Sequence, residues 1–252
     1  LTTIALTTWI LLTSLQETMG QTYSDVAPAK GINIQNADVQ WGGGVNFFDY
    51  DRDGDDDLTF ADSLKFYNNT NGTLTSQNLI KQLGTVAQVL WFDFDNDGDN
   101  DLFVSYHQNP NALYENTGSL TFTKKTNSDI DLSFINGSRG VSVCDYNKDG
   151  YLDIYVANYE DAANYYKDTS RFNKLYRNNG DGTFTEVGVK AGVADGAKPS
   201  FQGIWIDYND DGWQDLYVIN DLKPSNSLYR NNQDGTFTEV TSRTNTGFPN
   251  QH

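Results

Sequence analysis

The sequence has few of the residues that supply cross-links, soft-metal ligands or acid–base groups. Its 252 residues include one cysteine, one methionine and two histidines. A single cysteine, Cys144, excludes an intrachain disulfide, and its place at the end of an apolar run predicts a buried side chain rather than a reactive thiol. His107 and His252 lie in no cluster of ligand-type residues, so the pattern does not indicate a zinc or other soft-metal centre.

Basic residues are also scarce, with 17 Lys and Arg against 34 Asp and Glu and a formal net charge of -17. A field of that sign repels phosphate groups, so we expect neither nucleic acid nor an anionic membrane surface as a partner. Cations are the natural counterpart. Aromatic residues make up 13% of the chain and glycine occurs 22 times, which is typical of a β-rich fold with many turns.

The chain has no apolar run long enough to span a bilayer, so we expect no stable membrane span. Residues 4–15 are mostly apolar and uncharged, and the small residues Thr18 and Gly20 follow at the spacing that signal peptidase requires. We predict that residues 1–20 are a signal peptide whose basic start is missing. Residues 21–252 would then be secreted or exposed at the cell surface. A buried helix and a retained membrane anchor are the alternatives.

Two sequence elements recur along the chain. The first is an aspartate-rich nonapeptide that lies between two short β-branched or aromatic runs; its copies begin at Asp49 (DYDRDGDDD), Asp93 (DFDNDGDND), Asp145 (DYNKDGYLD) and Asp207 (DYNDDGWQD). The second reads as strand, turn and strand; its copies are SLKFYNNTNGTLT from Ser63, ALYENTGSLTFT from Ala112, KLYRNNGDGTFTEV from Lys174 and SLYRNNQDGTFTEV from Ser227. Each unit therefore contains four short strands.

Four short strands per unit predict an all-β fold, a β-propeller built from four-stranded blades. Independent hairpins and a β-sandwich are the alternatives. The outer-strand element occurs five times, whereas the nonapeptide occurs four times; its copies begin at Thr22, Thr73, Thr121, Thr183 and Thr236. This mismatch predicts an incomplete propeller of about four blades, truncated at the C-terminus, in which residues 241–252 lead into a fifth blade. A closed four-bladed ring is the alternative.

The nonapeptides offer oxygen atoms at the spacing that calcium requires. Calcium takes six to eight oxygen ligands. Positions one, three, five and nine carry Asp or Asn, position six is always glycine, and position seven would contribute its backbone carbonyl. The predicted ligands are Asp49, Asp51, Asp53, Asp55 and Asp57 in the first loop; Asp93, Asp95, Asp97, Asp99 and Asp101 in the second; Asp145, Asn147, Asp149, Tyr151 and Asp153 in the third; and Asp207, Asn209, Asp211, Trp213 and Asp215 in the fourth.

An EF-hand shares the first nine positions but needs a glutamate at position twelve. Here position twelve is apolar in every copy: Phe60, Val104, Val156 and Val218. Position two is always aromatic, which predicts a side chain in the packing rather than at the metal.

One Asp-Gly cluster could be a solvated turn, but four aligned copies favour metal sites. Four calcium ions add eight positive charges and change the formal charge from -17 to -9.

The units WFDFDNDGDNDLFV from Trp91 and LYRNNGDGTFTEV from Leu175 resemble FG-GAP/VCBS repeats. That resemblance covers about residues 22–252 and implies an integrin-α-like propeller, which is typically seven-bladed and holds calcium in D-x-D-x-D-G-x-x-D loops. The loop together with TFTEV is similar to the cartilage acidic protein, or ASPIC/UnbV-type, branch of secreted proteins. The C-terminal domain of that branch is absent here, and only four blades carry the loop.

These observations favour a secreted or cell-surface adhesion scaffold that binds calcium and an unidentified protein or carbohydrate. Trp213 and the aromatic residues of segment 159–168 are candidate sugar contacts. The alternative is a calcium-dependent polysaccharide lyase or hydrolase. The one histidine placed for such chemistry, His107, is interpreted as a surface residue at a strand end. A third reading puts the main activity in parts of the protein outside this sequence.

Overall fold

The computed structural model describes residues 24–32, 44–61, 64–81, 83–107, 109–126, 137–159, 172–196, 198–221 and 226–244. The chain divides into two compact units, residues 1–33 and residues 34–252. In the first unit, a short 3-10 helix spans Pro28–Lys30. Of the outer strand predicted from Thr22, the described residues 24–26 are irregular rather than extended in a sheet. The predicted signal peptide, residues 1–20, lies outside the described residues.

The described residues of the second unit form four antiparallel four-stranded sheets, and strands follow one another in sequence order within each sheet. The first sheet consists of β1 (Val45–Phe48), β2 (Asp57–Phe60), β3 (Lys65–Thr70) and β4 (Thr73–Gln77). The second consists of β5 (Val86–Phe92), β6 (Asp101–Tyr106), β7 (Ala112–Asn116) and β8 (Phe122–Lys124). The third consists of β9 (Ser138–Cys144), β10 (Asp153–Asn158), β11 (Lys174–Asn178) and β12 (Phe184–Glu186). The fourth consists of β13 (Ser200–Ile206), β14 (Asp215–Asn220), β15 (Ser227–Asn231) and β16 (Phe237–Glu239).

Helix is almost absent from the described residues, where α1 (Gly188–Ala191) and α2 (Thr241–Thr244) are single turns. No helix in these residues is both long enough and apolar enough to cross a membrane. The repeated sheets confirm the all-β, propeller-like fold, and they are neither a sandwich nor unpaired hairpins. Each nonapeptide joins the first strand of a sheet to the second.

Apolar cores fill the gaps between consecutive sheets. The position-two aromatic residue of one loop packs against the first strand of the next sheet. The rings of Tyr50 and Trp91 stack with centroids 4.9 Å apart, and those of Tyr146 and Trp205 stack at 6.2 Å. The expectation that position two points into the packing is therefore confirmed for the first three loops. It is wrong for Tyr208, which is exposed.

The outer faces of the first and fourth sheets are open where the corresponding faces of the inner sheets are covered. Phe47 of β1 is 66% exposed, whereas Trp91, at the equivalent place in β5, is 4% exposed. Ile206 of β13 is 47% exposed, whereas its equivalent Phe92 is buried. A ring closed between the first and fourth sheets would bury these side chains. The described part of the chain is therefore an open arrangement of four blades rather than a closed four-bladed ring.

Candidate metal centre in the nonapeptide loops

The aspartate at position nine of each loop begins the second strand of its sheet and is fully buried. Its Oδ2 accepts the backbone N–H of the position-two residue at 2.9–3.3 Å. Its Oδ1 accepts the backbone N–H of an asparagine in the third strand at 2.7–2.8 Å. The four pairs are Asp57 with Asn69, Asp101 with Asn116, Asp153 with Asn178 and Asp215 with Asn231. Position nine thus fixes the loop to two strands.

The aspartate at position one accepts the backbone N–H of the position-six glycine at 2.7–3.0 Å. That glycine has a φ between 83° and 97° in every loop, a conformation that side-chain-bearing residues rarely adopt. The glycine is therefore required to close the turn, as the sequence predicts. Closing the turn brings the position-one carboxylate over the start of the second strand.

In the first two loops, carboxylate oxygens from positions one, three and nine lie within 4.8 Å of one another. Such a spacing suits one cation shared by three oxygens. These clusters are Asp49 with Asp51 and Asp57, and Asp93 with Asp95 and Asp101. In the third and fourth loops, position three is Asn147 or Asn209, so an amide oxygen replaces one carboxylate there.

The position-five aspartates, Asp53, Asp97, Asp149 and Asp211, are exposed and do not join these clusters. Each accepts the backbone N–H of residue seven at 2.8–3.0 Å. The side chains at position seven have other contacts. Asp55 accepts the backbone N–H of Asn71 at 2.7 Å, and the ring of Trp213 lies under the Lys148 ammonium, 4.4 Å from Nζ. Ligation by positions five and seven stays a prediction.

Burial raises the pKa of the position-nine carboxyl groups. The pKa of Asp57 is raised to about 6, and those of Asp101 and Asp153 to about 7, because desolvation and the neighbouring loop carboxylates outweigh the donated N–H groups. Desolvation also raises the pKa of Asp51 and Asp95 at position three. A divalent cation would favour the ionised form of all these groups. These partly desolvated carboxylate oxygens are hard, negatively charged ligands. Such ligands suit calcium better than a soft metal.

Neighbouring loops are linked to each other. Asn100 donates to the carbonyl of Asp49 at 3.1 Å, and Asn96 donates to the carbonyl of Gly150 at 3.0 Å. Arg52 of the first loop lies 4.0 Å from the carboxylate of Asp93 in the second. The candidate sites therefore form a continuous row at one end of the sheets.

Sequence reasoning missed the asparagines of the third strand. Asn178 is representative: it is buried, donates from Nδ2 to the carbonyls of Leu152 (3.2 Å) and Phe94 (2.7 Å), and accepts the N–H of Gly180 (3.0 Å). It thus ties its own loop to the loop of the preceding sheet. The available signal was an asparagine two residues after an aromatic residue in every copy: Asn69, Asn116, Asn178 and Asn231.

His107 lies at the end of β6, as predicted, but the interpretation as a surface residue is wrong. It is partly buried, and its Nδ1 lies 2.6 Å from the guanidinium of Arg139. Cys144 is partly buried, and burial raises the pKa of its thiol to about 12, which agrees with an unreactive side chain. Of segment 159–168, only Tyr159 lies within the described residues; its ring packs on Phe201 at 4.9 Å.

The comparisons with known proteins agree with this architecture. Residues 93–156 and 207–251 match the model of the FG-GAP-like repeat. A solved structure with a similar fold is that of an Agrocybe aegerita lectin, described for its specific recognition of non-reducing terminal N-acetylglucosamine; the TM-score is 0.50 at 19% sequence identity. That match covers 79% of this chain and 52% of the lectin, so this chain spans about half the length of that protein. No curated protein matches the sequence significantly. Two segments of the chain therefore match FG-GAP-like repeats, and the described residues have a propeller-like fold.

Proposed function

We propose that this chain is a secreted or cell-surface scaffold that binds calcium in its four loops and a protein or carbohydrate ligand on the propeller-like surface. The observation that carries the calcium part is the convergence of positions one, three and nine in the first two loops, where oxygen atoms of three carboxylates lie within 4.8 Å of one another. A shared cation offsets the mutual repulsion of these groups.

The loop residues explain what calcium would do for the scaffold. Position nine already holds the second and third strands through its two accepted N–H groups. Position one holds the turn through the glycine N–H. A cation bound to both would fasten the turn to the sheet, and the links between loops would carry that rigidity to the neighbouring sheet.

A carbohydrate ligand is supported by the fold shared with the Agrocybe aegerita lectin, which recognises a terminal N-acetylglucosamine. Secretion is supported by the calcium proposal itself, because extracellular calcium modules bind at about 10⁻⁴ to 10⁻³ M, a range found outside the cytoplasm. The closer relation to the ASPIC/UnbV-type branch and the presence of further blades belong to the same proposal.

Calcium titration calorimetry with two matched variants of the first loop tests the metal part. Asp51→Asn removes a carboxylate of the three-oxygen cluster, whereas Asp56→Asn removes an exposed one from the same loop. Asp51→Asn gives the first loop the asparagine that the third and fourth loops carry, so we expect it to weaken one site about tenfold or more, the size of one charge-assisted contact. Asp56→Asn should bind like the unmodified chain. Equal effects would show that only general negative charge attracts the ion.

Thermal unfolding with and without a chelator tests the structural role. At calcium about 100-fold above Kd, one site contributes about 2.7 kcal/mol to the free energy of unfolding. Several sites would therefore raise the melting temperature by several degrees. An unchanged melting temperature would rule out a structural role for the metal.

A glycan and protein-ligand array with and without calcium tests the ligand part. Polysaccharide degradation measured on the array hits separates a scaffold from the alternative, a calcium-dependent lyase or hydrolase. Binding without product favours the scaffold, and the appearance of cleaved or unsaturated sugar favours the enzyme.

A further inference from the structure

A cavity of about 280 Å³ lies between the third and fourth sheets. Its lining comes from the third loop, the fourth loop, β11, α1 and the turn between β15 and β16, which contribute Asn147, Trp213, Arg177, Lys190 and Gln233. Ligand pockets usually have volumes of about 300–1,000 Å³, so this one suits a single small ligand. The three-carboxylate clusters of the first two loops take no part in it.

Two cations of this cavity have no acidic partner. Arg177 and Lys190 are exposed, and neither forms an ion pair within the described part of the chain, although the sequence has 34 acidic residues against 17 basic ones. The carboxylate of the lining, Asp234, already accepts the N–H of Thr236 at 3.0 Å and its hydroxyl at 2.6 Å. The lining thus has a net positive charge in a strongly acidic chain, which favours an anionic ligand.

The preceding gap, between the second and third sheets, has a different arrangement at the same place. Glu115 occupies the position of Arg177 in the repeat, and the ammonium of Lys125 lies 2.7 Å from its carboxylate. Nζ of Lys125 also lies 5.6 Å from the ring centroid of Phe94. The third sheet has Val187 at the position of Lys125, and valine cannot form an ion pair. The ion pair that fills one gap is therefore missing from the next, where the cavity lies.

An aromatic ring and a strained glutamine complete the lining. Trp213 is partly exposed, and Nζ of Lys148 lies 4.4 Å from the centroid of its ring, which helps to hold the ring in place. Gln233 has a φ of 66°, whereas the equivalent residue of the preceding hairpin is Gly180. A side chain is costly in this left-handed conformation, and glycine would avoid the cost. Such strain occurs mainly where a side chain has a functional role.

An aromatic ring and amide side chains suit the ring and hydroxyl groups of a sugar, and cations suit an anionic substituent. We propose that this cavity binds one acidic sugar residue, with its anionic group at Arg177 and Lys190 and its ring against Trp213 and Gln233. The inference rests on the ligand-binding part of the proposed function and not on calcium. A uronic acid and a sulfated sugar present the same chemistry, a negative charge on a pyranose ring.

The indole N–H resonance of Trp213 reports on this cavity in the full ¹⁵N-labelled chain, once it is assigned by its loss in Trp213→Phe. Sodium glucuronate and glucose 6-sulfate, titrated separately, distinguish a carboxylate from a sulfate ester. At least one of them should shift this resonance to saturation, while glucose and sodium acetate at equal concentrations should leave it unchanged. The proposal is overturned if neither acidic sugar gives a saturable shift, or if glucose or acetate gives an equal one.

Two arginines at the same repeat position provide matched variants. Arg177→Gln should weaken binding of the acidic sugar about tenfold or more, the loss expected for one charge-assisted hydrogen bond. Arg230→Gln removes an equally exposed cation from β15 that does not line the cavity, and it should have no effect. Equal affinities of the two variants, measured by calorimetry, would show that the cavity is not the binding site.

Gln233→Gly separates a ligand-binding role from a structural one. It gives the fourth sheet the glycine that the third sheet has at this position, so the melting temperature of the free chain should stay the same or rise. The affinity for the acidic sugar should fall about threefold or more, because a side-chain hydrogen bond is lost. An unchanged affinity would contradict the site. If array ligands bind the parent chain, Arg177→Gln and Gln233→Gly equally well, the scaffold proposal stands and this site falls.

Discussion

At position nine, one buried aspartate accepts two backbone N–H groups that belong to different strands. Loss of one carboxylate oxygen therefore leaves a strand N–H facing an amide group that cannot accept its hydrogen bond. A buried donor without a partner costs about 1–3 kcal/mol. The residue thus has a structural role in addition to its predicted role as a metal ligand.

We expect Asp101→Asn to lower the free energy of unfolding by about 1–3 kcal/mol even with calcium chelated, because one buried strand N–H loses its acceptor. Denaturant unfolding in chelator measures this effect. Asp181→Asn, which changes an exposed turn aspartate in the same way, is the control and should change stability by less than about 1 kcal/mol. Equal losses for the two variants would contradict the structural role of Asp101.

The raised pKa values at position nine predict an unusual pH dependence. The folded-state pKa values of about 6 for Asp57 and about 7 for Asp101 and Asp153 lie above the ordinary aspartate pKa of 3.8. A carboxyl group with a raised folded pKa adds stability below its unfolded pKa, and this contribution is lost as the pH rises towards the folded value. Chain treated with a chelating resin should therefore unfold more easily at pH 8 than at pH 5.

Calcium should reverse this trend, because it binds the ionised carboxylates and displaces their protons. Its stabilising effect should accordingly increase from pH 5 to pH 8. Melting curves at both pH values, with resin-treated and calcium-loaded protein, provide the comparison. A metal-free chain that is more stable at pH 8 would show that these carboxyl groups are not desolvated as described.

At the scale of the strand, the third-strand asparagine connects two sheets. Asn178 is buried, whereas the next residue, Asn179, is exposed and bonds within its own hairpin to Thr183 at 2.9 Å. Asn178→Ala should lower the free energy of unfolding by about 2–4 kcal/mol, because two carbonyls and one N–H lose their partner. Asn179→Ala should cost about 1 kcal/mol or less. Chemical denaturation of both variants measures how much the connection between the two sheets contributes to the free energy of unfolding.

The strands and turns were predictable from the sequence because their signals are local. Short runs of β-branched and aromatic residues located β5 and β6, and glycine at position six located the turn between them. The contacts of Asn178 with Phe94 join residues far apart in the chain, and no local pattern encodes such a distance. The pairing of His107 with Arg139 was missed for the same reason.

At the scale of the whole molecule, the same loop position has different surroundings in different sheets. Position two packs into the gap towards the following sheet, and Phe94 of the second loop is completely buried there, beside Phe184 at 6.1 Å between ring centroids. Tyr208 of the fourth loop, at the equivalent position, is 37% exposed. Both loops follow the same nonapeptide pattern with an aromatic residue at position two, so the difference arises from the packing of sheets and not from the loop.

This difference predicts unequal effects of one type of substitution. Phe94→Ala should lower the free energy of unfolding by about 3–5 kcal/mol, because it removes a ring from a filled core. Tyr208→Ala should cost less than about 1 kcal/mol, because water already reaches that ring. Denaturant unfolding of both variants, at saturating calcium so that loop occupancy is constant, gives the two values. If Tyr208→Ala were as costly as Phe94→Ala, the outer face of the fourth sheet would have to be covered in solution, for instance by a second copy of the chain. A dependence of that cost on protein concentration would identify self-association as the cause, since burial in a dimer adds stability only where the dimer is populated.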